Sequence, residues 1–214
     1  MQKGFTVKVF NEKGEEIEAK VDWVEKQIGG EVVEIPETFM KNSETPTFNP
    51  NILKLIEENQ QGIKLDVGCG HNPQEGFITL DIRPIEEVVD IIHDAESIPY
   101  PLPDECCGTI LASHLVEHLC PKRFTSVMNE WWRLMKPRGQ LLISAPYGRS
   151  DGMLQDPSHC NFLNEATFTY FDPQKFLYQI YKPKPWDIIE NRWMANGNLE
   201  VILEKIEDGS IELL

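Results

Sequence analysis

Apolar and polar positions alternate from the start of the chain. Phe5, Val7 and Val9 alternate with polar residues, Asn11-Glu12-Lys13-Gly14 supplies a turn, and Ile17, Ala19, Val21 and Trp23 alternate again. This pattern predicts a β-hairpin, and Val32, Val33 and Ile35 beyond Gly29-Gly30 predict one more short strand. Pro36, Pro46 and Pro50, with Asn, Ser and Thr between them, read as a linker. Beyond it the period changes. Ile52, Leu55 and Ile56 share one face of a helix over 51–59. Apolar runs at 63–67, 77–81, 88–92, 108–113 and 140–145 then predict five strands. A helix is expected to begin over 114–119, and a longer one over 122–135 buries Phe124, Val127, Met128, Trp131 and Leu134. Lys136-Pro137-Arg138-Gly139 is expected to end it as a turn.

Residues 147–174 carry no clear period and read as a long irregular segment interleaved with Phe162, Phe168, Tyr170 and Phe171. A loop of this length is a candidate lid or binding element. Helical spacing returns over 174–181. Two alternating runs, 186–194 and 199–206, flank Asn196-Gly197, a strong hairpin signal. The order predicts an α/β domain with a mostly parallel sheet and one antiparallel edge strand. Three segments are expected: a β-rich N-terminal extension over 1–45, the main domain over 46–206, and an acidic, frayed tail over 207–214.

Composition narrows the function classes. The chain has 214 residues, 41% of them apolar, which suits one such domain with a modest addition. A net charge of −15 speaks against a phosphate-tracking surface. Five cysteines without paired spacing make a zinc site or disulfide framework an unfavoured reading, and no metal ligand set is assigned. No segment reads as a signal peptide or a membrane span, so a cytoplasmic protein is expected.

The chemistry centres on Ile63–Asp81. A strand runs into Gly68-Cys69-Gly70, and a second strand ends on the carboxylate of Asp81. Glycines allow a nucleotide-like ligand to approach the backbone, and a carboxylate at the second strand end can accept from ribose hydroxyls. His114 and His118 stand at i, i+4, a metal-ligand spacing, but the sequence places no third ligand and a structural role is the stronger reading for His118. His114 is evenly balanced between base and packing. Tyr147 follows the fifth strand, and His159 sits in the long segment, where a general base near neutral pH or a loop-ordering hydrogen bond would fit.

Several segments in order resemble class I S-adenosylmethionine (SAM)-dependent methyltransferases, and in particular the small "type 11" subgroup. They are L-D-V-G-C-G at 65–70, Asp81, His93-Asp94-Ala95 before P-L-P-D-E, S-H-L-V-E-H at 113–118, and E-W-W-R-L-M-K-P-R-G-Q-L-L-I-S-A-P at 130–146. The section from Asp156 to Phe171 is similar as well. The resemblance implies a Rossmann-like fold with a seven-stranded sheet and an antiparallel C-terminal hairpin. It implies SAM as cofactor and S-adenosylhomocysteine as product. It assigns Asp66, Gly68, Cys69, Gly70, Asp81, Ile82, Asp94, Ala95 and Ser113 to the cofactor, with Asp66 near the amino acid moiety and Asp94-Ala95 near the adenine. His159, His114 and Tyr147 are the candidates for catalysis. The chain departs from the family in lacking the third glycine of the loop. Too few residues separate Gly70 from Asp81 for a full crossover helix.

The expected activity is methyl transfer to a small-molecule or glycan-type acceptor. A non-catalytic SAM-binding or structural protein of the same fold is the alternative. An NAD-dependent dehydrogenase is disfavoured, because G-x-G-x-x-G is absent and the acid follows the glycines too closely. Nucleic-acid acceptors are disfavoured because no N/D-P-P-Y follows the fourth strand.

Overall fold

The structure is a computed structural model that describes residues 51–207 in full and the backbone of three strands at 4–10, 16–28 and 31–36. The chain divides into two compact units, Met1–Pro46 and Thr47–Leu214. In the first, β1 (Gly4–Phe10), β2 (Glu16–Ile28) and β3 (Glu31–Pro36) form an antiparallel sheet in that order. The register pairs Val7 with Ala19 and Gln27 with Val32. β2 continues to Ile28, past the Trp23 at which the alternation stops. The predicted turn at 11–14, the linker at 37–50 and the tail beyond 207 lie outside the described residues.

The second unit is built on a seven-stranded sheet. Its strands are β4 (Ile63–Val67), β5 (Ile78–Asp81), β6 (Ile91–Ile92), β7 (Cys107–Ser113), β8 (Met135–Pro146), β9 (Trp186–Trp193) and β10 (Asn198–Lys205). Their order across the sheet is β6-β5-β4-β7-β8-β10-β9. The first five run parallel, and β10 is antiparallel to both β8 and β9. The antiparallel strand is therefore not the edge strand, as expected, but the one next to it. The Asn196-Gly197 turn fixes β9 and β10 as an antiparallel pair, so whichever docks on β8 pushes the other outward. β10 docks because Leu199, Val201 and Leu203 are buried at alternate positions, whereas β9 buries fully only Trp186.

Two local expectations are corrected. Residues 114–119 form a turn and not a helix. His114 has φ +52°, a left-handed conformation in which no right-handed helix can start. The segment instead closes with i to i−3 bonds, His118 N–H to Leu115 O at 3.0 Å and Leu119 N–H to Val116 O at 3.3 Å. Residues 136–139 are likewise no terminating turn. They bulge out of β8 between Met135, paired with Cys107, and Gln140, paired with Thr109.

The helices are α1 (Asn51–Glu58), α2 (Pro121–Leu134), α3 (Asp151–Leu154), α4 (Glu165–Phe168) and α5 (Phe176–Tyr181). Thus the segment read as irregular contains α3, α4 and a 3₁₀ turn at Thr169–Phe171. α2 packs its apolar stripe into the core: Phe124, Val127, Met128, Trp131 and Leu134 are all buried with Leu65, Val67, Ile110 and Leu141. Burying one such side chain contributes roughly 1.5–3 kcal/mol. The crossovers from β4 to β5 and from β5 to β6 contain no helix. The second is closed instead by side chains, since Asp90 Oδ2 accepts from Thr79 N–H at 2.9 Å and Thr79 Oγ–H donates to Val88 O at 2.6 Å. Among the described residues no helix is long and apolar enough to cross a membrane.

Candidate active site

The carboxyl ends of the parallel strands converge on a cavity of about 550 Å³. Gly68 stands at the exit of β4, Asp81 and Ile82 at the end of β5, Asp94 and Ala95 beyond β6, and His114 beyond β7; all six line it. Open α/β sheets hold ligands in this place. Gly68 has φ +73°, and a Cβ there would come within 2.9 Å of the Leu115 side chain. No other residue type fits that turn without moving Leu115. Gly68 N–H donates to Leu80 O at 2.7 Å, which holds the loop flat against β5.

Asp81 is 4% exposed and its carboxylate is fully engaged. Oδ1 accepts from Arg83 N–H at 2.9 Å and from its Nε at 3.0 Å. Oδ2 accepts from Gly70 N–H at 2.9 Å and from Arg83 Nη2 at 3.2 Å. Burial alone would raise its pKa, but the Arg83 guanidinium and the N–H groups of Arg83 and Gly70 outweigh it and hold the carboxyl below its ordinary value. Nothing in the sequence pattern singled out Arg83; its position two residues after the acid was the available signal.

Asp94 caps its own turn, with Oδ1 accepting from Glu96 N–H at 2.9 Å and Oδ2 from Ser97 Oγ at 3.3 Å. It keeps a place on the cavity wall while doing so. The Ala95 side of the wall is clamped from behind. Tyr100 O–H donates to Ala95 O at 2.9 Å and accepts from Trp131 Nε1 at 3.1 Å. Tyr100 N–H donates to Glu130 at 2.7 Å, and Arg133 Nη1 donates to Leu102 O at 3.0 Å. α2 thus fixes the whole proline-rich stretch that carries Ala95.

Asp66, Cys69, Gly70 and Ser113 do not line this cavity. Asp66 is buried, its Oδ2 accepts from Gln74 N–H at 2.9 Å, and burial outweighs that bond to raise its pKa. Burial, with the nearby Asp66 and Asp81 charges, pushes the Cys69 thiol up to about 11, which leaves it a poor nucleophile at neutral pH. Ser113 ends β7 opposite Ser144.

The three catalytic candidates separate. His114 is on the cavity wall, and its imidazole pKa is raised by the adjacent Glu117 carboxylate, whose Oε1 lies 3.2 Å from Nδ1. Tyr147 lines a second cavity of about 360 Å³ with Arg149, Ser150, Glu165 and Trp193. His159 packs edge-to-face on His118, their ring centroids 4.7 Å apart, and directs Nδ1 to Met153 O at 3.1 Å. That is the loop-ordering bond envisaged for it. Asn198 connects the first two groups, its Nδ2 standing 3.5 Å from His114 Nε2 beside Gly197, whose carbonyl accepts from Tyr147 N–H at 2.9 Å.

The fit to SAM rests on this geometry. The cavity has a size usual for small-molecule sites. It combines a glycine turn that a side chain would block with a carboxylate at the end of β5.

Comparison with known proteins bears on part of this site. Residues 73–143 match a family model described as a methyltransferase domain. No curated protein matches the chain. Among solved structures, a SAM-dependent methyltransferase from Archaeoglobus fulgidus is similar with a TM-score of 0.51 and 17% identity, over 72% of this chain and 91% of the other. The 16S rRNA (adenine(1408)-N(1))-methyltransferase of Catenulisporales acidiphilia is similar with a TM-score of 0.51 and 11% identity, over 76% and 94%. At such identities the likeness concerns the fold. It gives no support to the expectation against nucleic-acid acceptors, since one neighbour is named for ribosomal RNA. Family match and sheet topology agree: residues 73–143 are similar to a methyltransferase domain, and the sheet has the fold of the SAM-dependent methyltransferases it resembles.

Proposed function

We propose that the chain transfers the SAM methyl group to a small-molecule or glycan-type acceptor that enters beside Tyr147 and Trp193. The observation that carries this reading is the second cavity. Tyr147 and Trp193 form a tilted aromatic pair with ring centroids 6.1 Å apart, rimmed by Arg149, Ser150 and Glu165. Aromatic faces suit the C–H face of a sugar or a small ring, and the charged rim suits hydroxyls or a carboxylate. A volume of about 360 Å³ suits one ring and not a long polymer.

Bound SAM supplies an activated methyl on a good leaving group. The chain's own part is to position and to exclude water. Asp81 would accept from the ribose hydroxyls, Ile82 and Ala95 would flank the adenine, and Asp94 would accept from its amino group. Gly68, without a side chain, leaves room for the cofactor's other arm. Such positioning can contribute roughly 7–11 kcal/mol. His114, between the two cavities, is the residue best placed to take a proton from an acceptor hydroxyl.

Calorimetry tests the cofactor residues: Asp81→Ala is expected to weaken SAM binding at least tenfold, the scale of one charge-assisted hydrogen bond of about 1.5–3 kcal/mol. An unchanged affinity would remove Asp81 from the site. Labelled SAM incubated with sugar, small-acid and RNA pools tests the acceptor. Label in the RNA pool alone would overturn the small-acceptor reading.

A further inference from the structure

The turn after β7 and the loop after α3 meet in a cluster that methyl transfer does not require. Glu117 has no exposed surface, and among the described residues neither of its carboxylate oxygens receives a hydrogen bond. His114 Nδ1 pairs with Oε1 at 3.2 Å, outside hydrogen-bonding geometry, and leaves Oε2 with no partner among the described residues. A buried carboxylate oxygen without a donor is costly unless a cation meets it. One ligand atom from each of Glu117, His118 and His159 lies within 4.8 Å of the other two.

The hydrogen bonds around the cluster fix both imidazoles in one tautomer. Ser158 Oγ–H donates to Asp156 Oδ1 at 2.6 Å. The hydroxyl oxygen is then the acceptor for His118 Nδ1–H at 3.1 Å. His159 Nδ1 faces the carbonyl oxygen of Met153 at 3.1 Å, a group that only accepts, so this nitrogen carries the proton. In the neutral imidazole each ring then presents Nε2 as its lone-pair nitrogen. An imidazole whose far N–H is held by a carbonyl, or by a hydroxyl backed by a carboxylate, is the usual setting of a metal-ligating histidine. The two segments are also fastened together. Cys160 N–H and Asn161 N–H both donate to Glu117 O, at 2.9 and 3.0 Å, and Asn161 Nδ2 donates to Val116 O at 3.1 Å. The donor atoms are thus placed by the fold itself.

We propose that Glu117, His118 and His159 bind one divalent first-row transition cation of the zinc class. Two imidazoles and a carboxylate suit Zn²⁺, Fe²⁺ or Co²⁺ and leave coordination positions open to water or an oxygen ligand. Asp156, whose Oδ2 is 3.8 Å from His159 Nε2, is too far for a hydrogen bond and is available as a further carboxylate. His118 also lines the larger cavity, so the cation stands in its wall. The sequence assigned no metal because, of the i, i+4 histidine pair, only His118 belongs to the set, and His159 comes from a distant loop.

The test uses the full chain stripped of metal by a chelator and dialysed. Zn²⁺ is titrated by calorimetry, and Co²⁺ by its visible absorption. One equivalent is expected to bind. His159→Ala and Glu117→Gln are expected to lose more than about a hundredfold in affinity, and Ser158→Ala about tenfold, as outer-shell changes do. Circular dichroism checks each fold; should Glu117→Gln fail to fold, the two loop variants decide the matter. SAM titrated into the same metal-free sample reports the cofactor site separately. Folded wild-type chain that takes up neither ion, or variants that bind as tightly as wild type, would overturn the proposal.

Discussion

Arg83 and Asp81 set the terms on which a ribose could enter. A carboxylate offers about four lone-pair directions, and here four N–H groups use them, two of them from the Arg83 side chain. That side chain is 56% exposed, so it can leave while the backbone donors of Gly70 and Arg83 stay. Ribose hydroxyls that bind Asp81 must displace it. Arg83→Gln is therefore expected to tighten SAM binding, by up to about fivefold, the scale of roughly 1 kcal/mol for an exposed pair. A loss of affinity in calorimetry would instead make Arg83 a ligand contact. The same substitution has a pH signature. The Asp81 pKa is depressed in the folded chain, from an unfolded value near 3.8. Its stabilisation is then complete above pH 3.8 and is lost as pH falls through the lower folded value. Wild type should exceed Arg83→Gln in melting temperature at neutral pH, and the gap should close in acid. A gap that persists below the folded pKa would refute this electrostatic account.

At the scale of elements, α2 acts as the clamp behind the cavity wall. Tyr100→Phe removes the hydroxyl that bonds Ala95 O and leaves the Trp131 indole N–H buried without its acceptor. A cost of about 1–3 kcal/mol in chemical denaturation is expected, with weaker SAM binding because Ala95 loses its anchor. Equal SAM affinity would show that the wall does not depend on the clamp. The α2 face was legible in sequence because helical spacing records burial directly, and Phe124, Val127, Met128, Trp131 and Leu134 all lie where that spacing puts them. The β9–β10 hairpin was legible because Asn196-Gly197 is local turn chemistry. What escaped depended on partners far away in sequence. The exchange of β9 and β10 positions is decided by which strand better covers β8. The bulge at 136–139 arises from pairing with β7, and the turn at His114 from its place between β7 and the loop at 158–161. Gly68 and Asp81 were readable as neighbours on one cavity wall because the motif is contiguous. Arg83 on Asp81 and His159 beside Glu117 were not, since only side-chain geometry joins them.

At the scale of the whole molecule, the second unit has a core of its own. It runs from Ile52 to Leu203, and both described cavities are lined by residues of Thr47–Leu214. The end of its antiparallel strand is held by its own chain. Lys205 Nζ is buried and donates to Met135 O at 2.7 Å, while Trp132 Nε1 donates to Ile206 O at 3.0 Å, tying the end of β10 to α2 and β8. A unit with its own core and paired strands can fold alone. Deletion of 1–46 is accordingly expected to leave a cooperative thermal transition and a SAM affinity within about twofold of the full chain, a difference of roughly 0.4 kcal/mol. If the shortened chain loses SAM binding or its unfolding transition, the first unit is part of the fold of the second, and the division at residue 46 does not mark an independent domain.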